Sequence, residues 1–166
     1  DARDIEHQNL MCDMLSTTFA PGNAIALLPP WLYADGWEKA RQTLADPAGR
    51  EKVKNDFCRY WRFLSYGQWD RLLYMPAPYL PETQYMPFKE LVEKSGKEPI
   101  DVFLDIMQAA PSMLAARSVG VTGNVFFEQQ LIDSVVTDPI YMWQSDTEVT
   151  CLGDANSKRN ICLLNY

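Results

Sequence analysis

The sequence predicts the α/β class: two short strands that lie side by side in a parallel sheet, with a mostly helical insertion between them. Three observations lead there. Asn9–Leu15 (NLMCDML) and Ile140–Gln144 (IYMWQ) are short apolar runs with polar or proline-containing flanks, the pattern of strands buried on both faces. Between them, over roughly 120 residues, apolar side chains recur at helical spacing and not in alternation. Two strands do not make a sheet, so they fit two neighbouring strands of a larger α/β barrel interrupted by helices.

In chain order, Asp1–Gln8 (DARDIEHQ) reads as the last turns of a helix without a cap, and the chain is expected to continue a longer one. After the first strand come the polar turn Ser16–Thr18 and a strong loop signal, Pro21-Gly22. Asn23–Leu28 is expected to form a short apolar helix stopped by Pro29-Pro30, because the residue before a proline avoids the helical region. From Gly36 the apolar period becomes helical through Trp37, Ala40 and Leu44. Asp46-Pro47 then supplies an N-cap and first position for a longer helix with Val53, Phe57, Trp61 and Leu64 on one face. Arg50, Lys52, Lys54, Arg59 and Arg62 occupy the other faces and are read as solvated.

Trp69–Met75 is a possible strand. It leads into PAPYLPETQYMP, a connector with four prolines and two tyrosines, Tyr79 and Tyr85. Long irregular connectors are uncommon and often form binding loops, although such tyrosines also pack a loop onto its own domain. Two proline-started helices follow, Pro87–Ser95 stopped by Gly96 and Pro99–Ala110 closed by Pro111. Ser118–Asn124 is a loop or weak strand, and Val125–Val136 is predicted helical. The domain boundaries expected are a first strand region over 1–34, a helical insertion over 35–117, a helix and second strand over 118–150, and a tail over 151–166.

The second strand ends in Ser145 and Asp146. Asp146 either caps the following turn, as Asp often does, or points into a site at the carboxyl end of a barrel strand, where a carboxylate can hold a metal or carry a proton. Composition narrows the partners. The net charge is -7, with 15 Lys and Arg interleaved among 22 Asp and Glu, which argues against a nucleic-acid backbone. The longest apolar run, Asn23–Leu32, is too short for a bilayer and contains two prolines, so no membrane association is expected. Cys12, Cys58, Cys151 and Cys162 include no CxxC pair and fit the reduced thiols of a cytoplasmic protein. The single histidine, His7, cannot make a zinc site by itself.

Three stretches together, ALLPPWLYADGWEKARQTLADPAGREKVKNDF, GKEPIDVFLDIM and DPIYMWQSD, resemble the later part of the N-acyl-D-amino-acid deacylases, or D-aminoacylases, of the amidohydrolase superfamily. The resemblance runs from about Asp1 to Thr150, and its most specific element is the LPPW…DG…LADP…R run. It implies a zinc-dependent TIM (β/α)8 barrel that hydrolyses the amide of an N-acyl-D-amino acid. Asn9–Leu15 would be strand seven, Ile140–Gln144 strand eight, and the helical block after strand seven a lid. Asp146 would bind zinc and shuttle the proton. Thr17 stands where the family has the second tyrosine of a Tyr-Pro-Tyr sequence that helps hold the substrate carboxylate. Thr17, Ser145, Tyr79 and Tyr85 are the substrate-binding candidates. The family's metal-binding histidines and cysteine fall on earlier strands, so these 166 residues are expected to need the remainder of the barrel domain as partner and to be inactive alone. A second reading of the same chain is a helical binding or assembly module with no chemistry of its own.

Overall fold

The computed structural model describes residues 12–15, 19–57, 62–124 and 141–144. Helices and strands are mixed, and the chain divides into two compact units, one formed by 1–18 with 126–166 and the other by 19–125. Within the first, β1 (Cys12–Leu15) and β5 (Tyr141–Gln144) pair in parallel, from Cys12 opposite Tyr141 to Leu15 opposite Gln144. Parallel neighbours need a long crossover between them, and here the crossover contains the whole of the second unit.

That second unit takes in more chain than the helical block expected over 35–117. Its three-stranded antiparallel sheet has the order β2 (Phe19–Asn23), β4 (Gly120–Asn124), β3 (Leu72–Tyr74). The loop expected at Pro21-Gly22 is therefore strand, with Pro21 opposite Thr122. An edge strand tolerates a proline because one of its sides has no ladder to complete, and β2 is an edge. Ser118–Asn124, predicted as loop or weak strand, supplies the central strand. Gly120 suits that place, since its amide bonds the Pro76 carbonyl at 3.1 Å and a Cβ there would lie 3.4 Å from the Pro76 ring.

Asn23–Leu28 winds into a 3-10 turn (Ala24–Leu27), and Pro30 starts another (Pro30–Tyr33). Helix α1 (Trp37–Ala45) buries Trp37, Ala40 and Leu44, and the Trp37 indole donates to the Ala110 carbonyl at 2.9 Å. Helix α2 (Pro47–Asn55) opens as its sequence demands: the Asp46 carboxylate accepts from the Gly49 amide at 2.7 Å, and Pro47 needs no donor. A side chain at Gly49 would collide with the Thr43 carbonyl, so α1 and α2 meet closely at that point.

The longer helix expected to run on to Leu64 is not continuous. It ends at Asn55, and α3 (Arg62–Ser65) is a separate short turn. Asp56 leaves the helical region, and its carboxylate accepts the Trp31 indole N–H at 2.5 Å, a long-range bond that holds the chain where the helix breaks. Val53, Phe57 and Leu64 are nevertheless all buried, as their apolar spacing predicts, while Trp61 lies outside the described residues.

Helix α4 (Phe88–Ser95) ends on Gly96 with φ of 65°, the left-handed cap that glycine adopts without strain. Helix α5 (Pro99–Gln108) lies at the centre of the core, with Phe103, Leu104 and Met107 fully buried. A short helix absent from the sequence reading, α6 (Met113–Arg117), follows Ser112, whose hydroxyl accepts from the Ala115 amide at 3.2 Å. The helix predicted over Val125–Val136 lies outside the described residues.

Candidate functional site

Strands β1 and β5 run parallel and in register, so their carboxyl ends finish side by side, with Leu15 opposite Gln144. Ends of parallel strands are where α/β proteins gather functional side chains. Thr17 follows β1 by two residues, and Ser145 and Asp146 follow β5 directly. All three lie outside the described residues.

The connector 76–87 is folded more tightly than its prolines suggested. Ala77 and Leu80 form an isolated bridge, and Pro81–Thr83 make a 3-10 turn. The buried Thr83 hydroxyl accepts from the Ala77 amide at 2.8 Å and donates to the Leu80 carbonyl at 2.7 Å, so the turn holds itself from within. Gln84 adds a bond from its side-chain amide to the Ala77 carbonyl at 2.8 Å.

The two candidate tyrosines differ within this loop. Tyr79 is half-buried, its hydroxyl donates to the Ile106 carbonyl of α5 at 2.8 Å, and burial raises the phenol well above its ordinary pKa. Tyr85 is 93% exposed, beside a shallow groove of about 280 Å³ lined by Pro81, Glu82, Met86, Pro87 and Glu90. The structure thus ties one tyrosine to the body of the unit and displays the other to solvent.

The basic residues of α2 are not simply a solvated face. Arg50, whose side chain is only 18% exposed, donates to Asp105 at 2.5 Å, to Asp101 at 3.3 Å and to the Leu44 carbonyl at 3.2 Å. Lys54 joins Asp101 at 3.0 Å, and Lys97 reaches Asp105 at 2.6 Å. Lys52 is set differently, its ammonium 4.3 Å from the centre of the Trp31 ring. Residues four apart share a helix face, so Arg50 and Lys54 on α2 meet Asp101 and Asp105 on α5 as a matched set. That signal was present in the sequence as two i,i+4 pairs of opposite sign. The cluster clamps α2 to α5 beside a small cleft of about 160 Å³ at Lys54, Asn55 and Ser65.

Hydrogen bonds to Glu51 and then Asp101 raise the Lys54 ammonium, against the effect of burial. For Asp105, burial acts upward, but hydrogen bonds from Lys97 and Arg50 prevail and hold the carboxyl below its usual value. A carboxylate depressed by folding contributes stability that is full above its unfolded pKa, about 4, and is lost as pH falls through the lower folded value. Thermal melts between pH 6 and 2.5 should therefore show an acid-side decline that is shallower in Asp105→Asn. An identical decline in both proteins would exclude Asp105 as a contributor.

Among the described residues, no three His, Cys, Asp or Glu side chains converge as metal ligands, and no helix is long and apolar enough to cross a membrane. Asp146 is outside that set. The arrangement described is that of a mixed α/β chain in which a parallel strand pair is separated by a compact, largely helical unit with its own sheet. Comparison of the chain with family models, with curated proteins and with solved structures found no match.

Proposed function

We propose that this chain is part of a zinc-dependent amidohydrolase that cleaves N-acyl-D-amino acids, with β1 and β5 as the last two strands of a TIM barrel. The observation that carries the reading is the parallel, in-register pairing of β1 with β5 across an inserted unit. Adjacent barrel strands pair in this way, and a two-stranded parallel ribbon needs further strands and covering helices to be buried. The resemblance of the LPPW…DG…LADP…R and DPIYMWQSD stretches supports the same assignment.

In that reaction water adds to the acyl carbon, the carbon–nitrogen bond breaks, and a carboxylic acid and a free D-amino acid leave. Asp146 takes the proton from the attacking water and delivers it to the departing nitrogen, which would otherwise leave as a strongly basic amide anion. Asp146, together with ligands from the remainder of the barrel domain, would hold the zinc, which when bound would supply Lewis acidity. Thr17, two residues after β1, and Ser145, directly after β5, are the candidates to hold the substrate carboxylate in this reading. The resemblance also implies a part for the inserted unit in the choice of acyl group or side chain.

The test is hydrolysis of an N-acyl-D-amino acid, with its L enantiomer as control, by a zinc-loaded protein that carries these strands in a complete barrel. Release of the D-amino acid alone is the expected result. No hydrolysis of either enantiomer would leave the helical binding or assembly module as the better reading, with the inserted unit as the functional part.

The tyrosines give a second test on the same protein. Tyr79→Phe removes the bond to Ile106 and should cost about 1 kcal/mol of stability with the substrate ranking unchanged. Tyr85→Ala should leave the melting temperature almost untouched, since the ring is exposed, and should shift the preference among acyl or side-chain groups. An unchanged ranking in Tyr85→Ala would remove this loop from substrate selection.

A further inference from the structure

We infer that the 19–125 unit is a self-closed module that folds and opens as one cooperative piece, separately from the parallel pair β1/β5. Its first strand is hydrogen-bonded to its last: Phe19 lies opposite Asn124, Ala20 opposite Gly123, and the pairing runs on to Asn23 opposite Gly120. The Ala24 amide extends it by donating to the Val119 carbonyl at 3.0 Å. Chain ends paired in this way close the unit as a loop on its own sheet, and the ordering of everything between is shared by its own contacts.

The interior supplies those contacts. Helix α5 fills the centre with Phe103, Leu104 and Met107, the ring of Phe57 meets that of Phe103 edge-on at 5.3 Å, and Trp69 stacks on Phe88 at 6.1 Å. Polar fastenings cross the unit as well: Trp37 to Ala110, Arg50 to Asp105, and Arg71 Nε to the Asn124 carbonyl at 2.8 Å, which pins the final residue of β4 from the turn before β3. All of these join elements that both lie between Phe19 and Val125. Cooperative units of native proteins coincide with such closed sets of contacts.

Native-state amide exchange on the protein that carries β1 and β5 in their complete sheet tests the inference, comparing the unaltered protein with Met142→Pro. Proline at 142 removes a backbone donor from the interior of β5 and puts there a ring that interior sheet strands do not tolerate. The expected result is loss of protection at the amides of β1 and β5, while the amides of α5 and β4 keep their exchange rates to within about twofold. Loss of protection in both sets together would show one cooperative structure and overturn the inference. Unaltered protection in both would also overturn it, because the parallel pair would then not be a structural unit that can open alone.

Discussion

If the proposed deacylase function holds, Asp146→Asn is expected to lower turnover of an N-acyl-D-amino acid by at least about a hundredfold in the protein that carries the complete barrel, with the fold intact. Asparagine has almost the same size and keeps an acceptor oxygen, so packing and turn geometry change little. What it loses is the ability to hold a proton and a negative charge. General acid–base catalysis by one positioned group is worth about 10² to 10⁴ in rate, and a group that also holds the metal adds the cost of weaker binding. The two losses are separable. Zinc content measured beside kcat distinguishes a variant that has lost its metal from one that keeps it and cannot move the proton. If Asp146 only caps the turn after β5, the same substitution leaves kcat/KM within about tenfold of the unaltered enzyme, since asparagine caps turns as well as aspartate does.

β1 and β5 were legible because both are short, mostly apolar runs without helical period, Asp13 being the exception inside β1, and such runs fit a buried parallel sheet. So were α1, α4 and α5, because their starts and stops are written in local chemistry: Gly36, Gly96, and a proline at or just before the first turn. Elsewhere tertiary contacts override the local signals. Pro21 and Gly22 are loop residues by propensity, and only the long-range partner β4 makes them strand. Beyond the break after Asn55, Asp56 is bonded to Trp31, 25 positions away, a contact that no local pattern announces. The clamp between α2 and α5 was half legible, since the i,i+4 charge pairs are visible, but which helix faces which is a property of the fold. Of the candidate site, Tyr79 and Tyr85 were read as equivalent because the sequence does not say which ring finds a carbonyl acceptor. Ser112 as a cap before MLAAR was a signal of ordinary strength that the preceding proline obscured.

Phe103→Ala is expected to destabilise the 19–125 unit by about 3 to 5 kcal/mol. The side chain is fully buried, in the middle of α5, where alanine keeps the helix but leaves the volume of a phenyl ring empty. Two aromatic neighbours lose their partner as well: Phe57, edge-on at 5.3 Å, and Trp69, tilted at 6.0 Å. Such pairs are worth about 0.5 to 1.5 kcal/mol each beyond the area they bury. These rings come from separate places in the chain, the end of α2, the turn before β3 and α5 itself, so the cavity opens where three segments meet and no single one can collapse into it. Domains of this size are stable by about 5 to 15 kcal/mol, and the variant should therefore be close to unfolding near body temperature. Phe103→Leu keeps most of the volume and should cost about 1 to 2 kcal/mol. Denaturant melts followed by tryptophan fluorescence measure both, because Trp37 and Trp69 lie in the unit. A loss below about 1 kcal/mol in Phe103→Ala would mean that the segments around α5 can close the gap, contrary to a core held at three separate points.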